Sequence, residues 1–191
     1  MFKPWRHPAC QSDEALLGKC TVGTGRTGGP GGQNRNKVET LIELTHTATG
    51  VEAHAGERRS QMENKRMALR RLRLNLAVQV RTAVPEGSVG SELWRSRRKE
   101  PPKNATAGSP PASRWESGGE GVLEVNPEHH DYPAMLAEAL DVIAASAWDL
   151  KPASLRLNCS PSQLLKLVRD YPPALTALNR HRGELGMGTL R

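Results

Sequence analysis

At 191 residues the chain has room for one medium domain or two small ones, and with 4% aromatic residues any core must be mainly aliphatic. Cys10, Cys20 and Cys159 form no close pair or regular spacing, which argues against a disulfide framework or a zinc cluster, and no apolar run approaches the roughly 20 residues of a membrane span or forms a signal-peptide core, so a soluble, unexported, cytoplasmic protein is expected. Net charge is +7, and eight basic residues against two acidic ones fall at positions 57–81, concentrating the excess where it suits a polyphosphate partner.

Residues 1–12 read as an N-terminal tail. Leu16 to Val22 predicts a short strand, and the glycine-rich residues 23–34 show no periodicity, which predicts a loop that is mobile when unbound. From Val38 the side chains alternate: Val38, Thr40, Ile42 and Leu44 share one face, with Glu39, Glu43 and Thr45 largely on the other. Thr47-Ala48-Thr49-Gly50 is the expected turn, and Val51, Ala53 and Ala55 alternate with Glu52 and His54 on the return strand. His46 and His54 read as exposed strand residues.

A helix is predicted from about Gln61 to Arg81, opened by the capping-box pair Ser60 and Glu63. Met62, Leu69, Leu72, Leu76 and Val80 recur at helical spacing and should turn inward onto the hairpin, leaving Arg66, Arg70 and Arg73 on an outward face. Residues 83–125, rich in Pro, Gly and Ser and carrying Arg95-Ser96-Arg97-Arg98-Lys99, have the composition of a flexible linker. From Tyr132 helical spacing returns, with Met135, Leu136, Leu140, Ile143 and Ala147 tracing one face. Short helices then follow at Pro152–Leu157, from Ser160-Pro161 with Leu164, Leu165 and Val168 inward, and at Ala174–Arg182. The expected class is α+β: residues 13–82 as a hairpin or short sheet under one long helix, a linker at 83–125, and an all-helical domain at 126–191.

The most informative stretch is Thr27-Gly28-Gly29-Pro30-Gly31-Gly32-Gln33-Asn34-Arg35-Asn36-Lys37. Glycines let a backbone approach another molecule closely and adopt conformations closed to other residues, and here they precede a single carboxamide. The pattern continues as Gln-x-x-Asn-Lys through Gln33, Asn36 and Lys37, then the hairpin, then Arg59-Ser60-Gln61-Met62-Glu63-Asn64. From about residue 13 to 82 this resembles the catalytic domain of class I peptide chain release factors, which hydrolyse the ester between a finished peptide and its tRNA in the ribosome. The resemblance implies a ribosome-dependent peptidyl-tRNA hydrolase, a carboxylic ester hydrolase with no metal and no small-molecule cofactor. Its partners would be the ribosome, through large-subunit ribosomal RNA, and peptidyl-tRNA; no membrane is implicated, and the chain is expected to be a monomer.

On that resemblance Gly31, Gly32 and Gln33 are the catalytic residues. The Gln33 main-chain N–H would meet the developing oxyanion or the leaving hydroxyl, its carboxamide would border the water, and the glycines would supply clearance. Asn36 would brace the loop, the alternative being a cap on the following strand. Arg35, Lys37, Arg58, Arg59, Lys65, Arg66, Arg70 and Arg73 would contact RNA. Decoding factors need further stop-codon-reading domains, so the expected member is a codon-independent rescue hydrolase of stalled ribosomes. The departure from that group is a weakly acidic, folded-looking C-terminal region where a basic tail is usual.

Competing constellations are weaker. No nucleophile-elbow pattern accompanies the histidines, and the glycine run lacks the Gly-Lys-Ser/Thr ending of a phosphate loop. His129-His130-Asp131 lacks a further ligand at a familiar metal spacing and reads as a surface pair. The two helices around Asn158-Cys159 resemble a helix-turn-helix that would present Ser162, Gln163, Lys166 and Arg169 to a nucleic acid, and a non-catalytic RNA- or ribosome-binding module is the alternative function.

Overall fold

The computed structural model describes residues 5–26, 39–87, 89–99 and 122–191. Chain order begins with a strap, Trp5 to Gln11, folded around a 3-10 turn at Pro8–Cys10. Pro8 at the first turn position supplies a preset φ, and His7 caps the turn by accepting the Ala9 N–H at 3.0 Å on Nδ1. Helix α1 (Asp13–Leu17) follows, its start set by Ser12 accepting the Ala15 N–H and by Asp13 and Glu14 against the positive end of the helix dipole. The strand expected at 16–22 therefore starts later, because Ser12 and two acidic residues are a stronger local helix signal than the short apolar run they precede.

Strand β1 is Cys20–Gly25, and it reaches into the stretch expected to be loop. Main-chain pairing carries it there: Gly23 lies opposite Glu43 and Gly25 opposite Leu41. A Cβ at Gly25 would come 3.2 Å from Leu41 Cδ2, closer than ordinary contact, so a side chain there requires the leucine to shift. Strands β2 (Leu41–His46) and β3 (Glu52–Ala55) complete an antiparallel sheet of order β1-β2-β3, with Thr45 opposite Glu52 and Ile42 opposite Ala55. The turn falls at 47–50 as the residues require, with Gly50 at φ 69° and its N–H donating to His46 O at 2.8 Å. Ile42, Leu44, Ala53 and Ala55 face inward, and so does His46, which is 2% exposed. That corrects the surface reading of His46; it lies opposite Cys20 while exposed His54 lies opposite Glu43, so the two histidines are not partners.

Helix α2 (Gln61–Gln79) starts where Ser60 accepts the Glu63 N–H and ends two residues short of Arg81. It touches β2, β3, the strap and both the first and last helices of the C-terminal region, and its buried residues include Asn64, Ala68, Leu74 and Ala77 beside Leu69, Leu72 and Leu76. The single inward stripe is thus too narrow a description. Met62, assigned to that stripe, is 65% exposed, because it sits in the first turn beyond the edge of the covering elements.

The first part of the expected linker is packed. Helix α3 (Glu92–Ser96) is capped by Ser91, Trp94 is fully buried with its Nε1–H donating to Leu157 O at 3.0 Å, and β4 (Arg98–Lys99) pairs with β5 (Val122–Leu123). Composition misleads here because one large aromatic contributes enough apolar burial to order the short segment around it.

Helix α4 (Tyr132–Ala144) is buried on every side from Tyr132 to Ile143, so the expectation of one apolar face is corrected too, and Ala147 lies beyond the helix end at φ 54°. Helices α5 (Leu150–Leu157), α6 (Pro161–Arg169) and α7 (Pro172–Glu184) surround it, with Asn158 in the left-handed conformation at the α5–α6 turn and Ser160 capping α6 through the Gln163 N–H. Buried side chains from Ala9 through Leu76 and Trp94 to Leu178 form one continuous core. Two separate cores joined by a solvated linker would leave the α2–α4 contact open to water.

Candidate functional site

Gly25 opposite Leu41 is the last paired position of β1 and β2, so residues 27–38 leave and return on neighbouring strands at one end of the sheet. Gly31, Gly32, Gln33, Arg35, Asn36 and Lys37 lie outside the described residues. What the structure describes is the pair of strand ends that flank them. Glu39, on the returning side, accepts from the Thr24 hydroxyl at 3.4 Å and faces Arg26 at 3.8 Å through its carboxylate, while its carbonyl accepts from Gln61 Nε2 at 2.6 Å. Thr40 O accepts from Asn64 Nδ2 at 2.6 Å. The first turn of α2 therefore holds the chain just before β2.

Beside these strand ends, Arg58, Arg59, Lys65 and Arg66 are exposed. The outward face assigned to the helix arginines does not extend further along α2. Arg70 donates to the carbonyls of Pro127, Glu128 and His129 and faces the Glu128 carboxylate at 3.5 Å. Arg73 donates to Ala9 O, Gln11 O and the Asp13 carboxylate, and its side chain is only 13% exposed. Both act as staples for segments from opposite ends of the chain, since a guanidinium with five donors can satisfy several carbonyls at once. Arg71 is similarly engaged, with Glu57 at 2.7 Å and His54 O at 2.8 Å, and it holds the Glu57 carboxyl below its ordinary pKa. A cleft of about 790 Å³ runs past Arg66, Arg70 and Arg73, but Asp13, Glu14, Glu128 and Asp131 also line it, so its charge is nearly balanced.

His129, His130 and Asp131 bring potential ligand atoms within 4.8 Å of one another. The Asp131 carboxylate, however, accepts from Arg97 Nε at 3.0 Å and from Arg97 Nη2, and Arg97 also meets the His129 ring. A fixed positive charge beside all three favours an ion pair over a bound cation. On α6, Ser162, Lys166 and Arg169 are exposed, with Lys166 3.4 Å from Asp170, whereas Gln163 is turned back to accept the Leu123 N–H.

Two carboxylates inside the core escaped the sequence reading. Asp141, 1% exposed, accepts from Trp5 Nε1 at 3.0 Å, from Arg81 at 3.3 Å, and from the Thr82 N–H at 3.1 Å. Glu138 accepts the Ser91 N–H and hydroxyl, both at 2.6 Å, and burial raises its pKa despite these bonds. A carboxylate pair three residues apart in an apolar helix was the available signal, because burial at both positions demands partners.

Residues 18–103 match the family model of the RF-1 domain. The matched residues thus resemble the RF-1 domain, and the relatives they bring in are named peptide chain release factors. The chain is similar to the chloroplastic peptide chain release factor PrfB1 of Arabidopsis thaliana, 55% identical over 53 residues covering 28% of this chain and 12% of that protein. It is also similar to peptide chain release factor 1 of Chlorobaculum tepidum, 46% identical over 55 residues, 29% of this chain and 15% of that protein. Peptide chain release factor 1 of Symbiobacterium thermophilum is 46% identical over 52 residues, or 27% and 15%. The chain thus spans less than a fifth of the length of these relatives. No solved structure matches. Among the described residues no helix is long and apolar enough to cross a membrane.

Proposed function

We propose that the protein hydrolyses the peptidyl-tRNA ester on the ribosome, with Gly31, Gly32 and Gln33 as its catalytic tip. The observation that carries this reading is the RF-1 domain match across a segment that leaves and returns on paired strands and contains Gly-Gly-Gln. Ester hydrolysis needs a water held against the carbonyl carbon and donors where negative charge develops, and neither demands a strong base. The Gln33 main-chain N–H supplies such a donor, its carboxamide borders the water, and Gly31 and Gly32 give the backbone clearance. Water attacks the ester carbonyl; the tRNA ribose oxygen leaves with a proton and the peptide departs as a carboxylic acid.

Arg58, Arg59, Lys65 and Arg66, with Arg35 and Lys37, contact ribosomal or transfer RNA phosphates, while Asn36 braces the segment. Arg70 and Arg73 drop out of that set because their terminal guanidinium nitrogens are held by carbonyls and a carboxylate within the fold. Codon-independent rescue is the favoured role: the similarity to the relatives above covers 52–55 residues, and helices outside the RF-1 match pack onto α2.

The test is single-turnover peptide release from ribosomes stalled on truncated messages, on full-length messages lacking a stop codon in the A site, and on stop codons. Gln33→Ala and Gly32→Ala should each lower release by about 10² or more while leaving ribosome association within twofold. Undiminished release by both variants removes the catalytic claim and leaves a non-catalytic binding module. Release confined to stop codons removes the rescue role.

A further inference from the structure

The Arg59-Ser60-Gln61-Met62-Glu63-Asn64 run is only partly explained by its capping serine. Asn64 is fully buried in the first turn of α2. Its Oδ1 accepts the Arg58 N–H at 2.9 Å, and its Nδ2 donates to Arg58 O at 2.9 Å and Thr40 O at 2.6 Å. Both donors and one acceptor site of this amide go into two backbone segments, the loop before α2 and the residue before β2. Gln61 is exposed, yet its Nε2 donates to Glu39 O at 2.6 Å. Glu39 and Thr40 are where the chain returns after residues 27–38.

The other holds on that return are weak. The Glu39 carboxylate meets Thr24 and Arg26 from the departing strand, but Arg26 and Glu39 are 63% and 50% exposed, and such pairs contribute little in water. The register with β1 begins only at Leu41. Without the two amides, Glu39 and Thr40 would lose their links to the rigid helix. A buried leucine at position 64 would serve the core equally well if packing were the only demand, whereas an asparagine is required to satisfy both segments at once.

We propose that Gln61 and Asn64 are positioning residues that fix where the chain returns from the Gly31-Gly32-Gln33 segment, and thereby set the Gln33 main-chain donor against the scissile ester. The inference rests on the hydrolytic reading above. Catalysis by a positioned donor tolerates little displacement, about 10² in rate for an error near 1 Å, so weakening the anchor lowers the chemical step before it lowers association.

The experiment compares Gln61→Ala, Asn64→Asp and Gln33→Ala in full-length protein. Asn64→Asp retains the acceptor for Arg58 and most of the volume but loses both donations; Gln61→Ala sits on the surface and spares the core. Measured are the maximal release rate, the half-saturating protein concentration, the thermal midpoint, and tryptic cleavage after Arg35 and Lys37 by mass spectrometry. Gln61→Ala should lower the maximal rate about tenfold and Asn64→Asp about 10² or more, with half-saturation within twofold and faster cleavage in the same order. Normal maximal release and unchanged cleavage in Gln61→Ala overturn the proposal, as does a loss confined to half-saturation. If Gln33→Ala releases peptide normally, the hydrolytic reading falls while the cleavage comparison still decides whether these amides hold the segment.

Discussion

His7 has both ring nitrogens committed in the core: Nδ1 accepts the Ala9 N–H at 3.0 Å, which leaves Nε2–H to donate to Val80 O at 3.1 Å. Burial lowers its pKa below 6.5, opposed by nearby Asp141 and reinforced by Arg81. The folded state therefore holds the neutral ring, and the unfolded chain binds a proton first as pH falls. Its contribution to stability is present above about pH 6.5 and declines below it, by at most about 1.4 kcal/mol per pH unit for this one group. Buried Glu138 has a raised pKa and acts in the opposite sense, so the His7 share is read as a difference. The thermal midpoint of His7→Gln should depend less on pH between 7.5 and 5.5 than that of the unaltered protein, and parallel curves would contradict this.

Helix α2 separates two uses of arginine along its length. Near its start, Arg58, Arg59 and Arg66 are exposed beside the strand ends; a turn or more later, Arg70 and Arg73 bind carbonyls of the strap and of residues 127–129. Reversing charge at Arg58, Arg59 and Arg66 should weaken ribosome binding and flatten its salt dependence while leaving the melting midpoint nearly unchanged. Arg73→Ala should instead cost about 1–3 kcal/mol of stability, because it leaves buried carbonyls unpaired, with little change in the salt slope. Filter binding at several salt concentrations and denaturant titration distinguish the two. Sequence spacing separated these arginines from the apolar stripe but held no information on which of them a distant segment would cover.

Across the molecule, α4 and Trp94 join what composition divides into domain, linker and domain. Leu140 is 1% exposed in α4 and Trp94 is fully buried beneath α5, both within the core that includes Leu72 and Leu76 of α2. Leu140→Ala should cost about 2–5 kcal/mol and Trp94→Ala about 3–5 kcal/mol. If the core is one cooperative unit, tryptophan fluorescence and far-ultraviolet circular dichroism will report coincident unfolding transitions in both variants, whereas two independent domains would separate them.

The amino-acid sequence by itself determined the local features: the turn at Gly50, the Ser60 and Ser160 caps, the break between helices at Asn158, the alternation of Ile42 and Leu44, and the Gly-Gly-Gln pattern with its flanking motifs. Each depends on backbone preference or on neighbours within a few residues, which a linear pattern records. Only the tertiary structure decided that His46 is buried and Met62 is not, that Arg73 is a staple, and that Trp94 orders a stretch with linker composition. Those outcomes depend on what packs from other segments, 60 or more positions away for Arg73 with Asp13 and Trp94 with Leu157, and a periodicity along one segment does not register it.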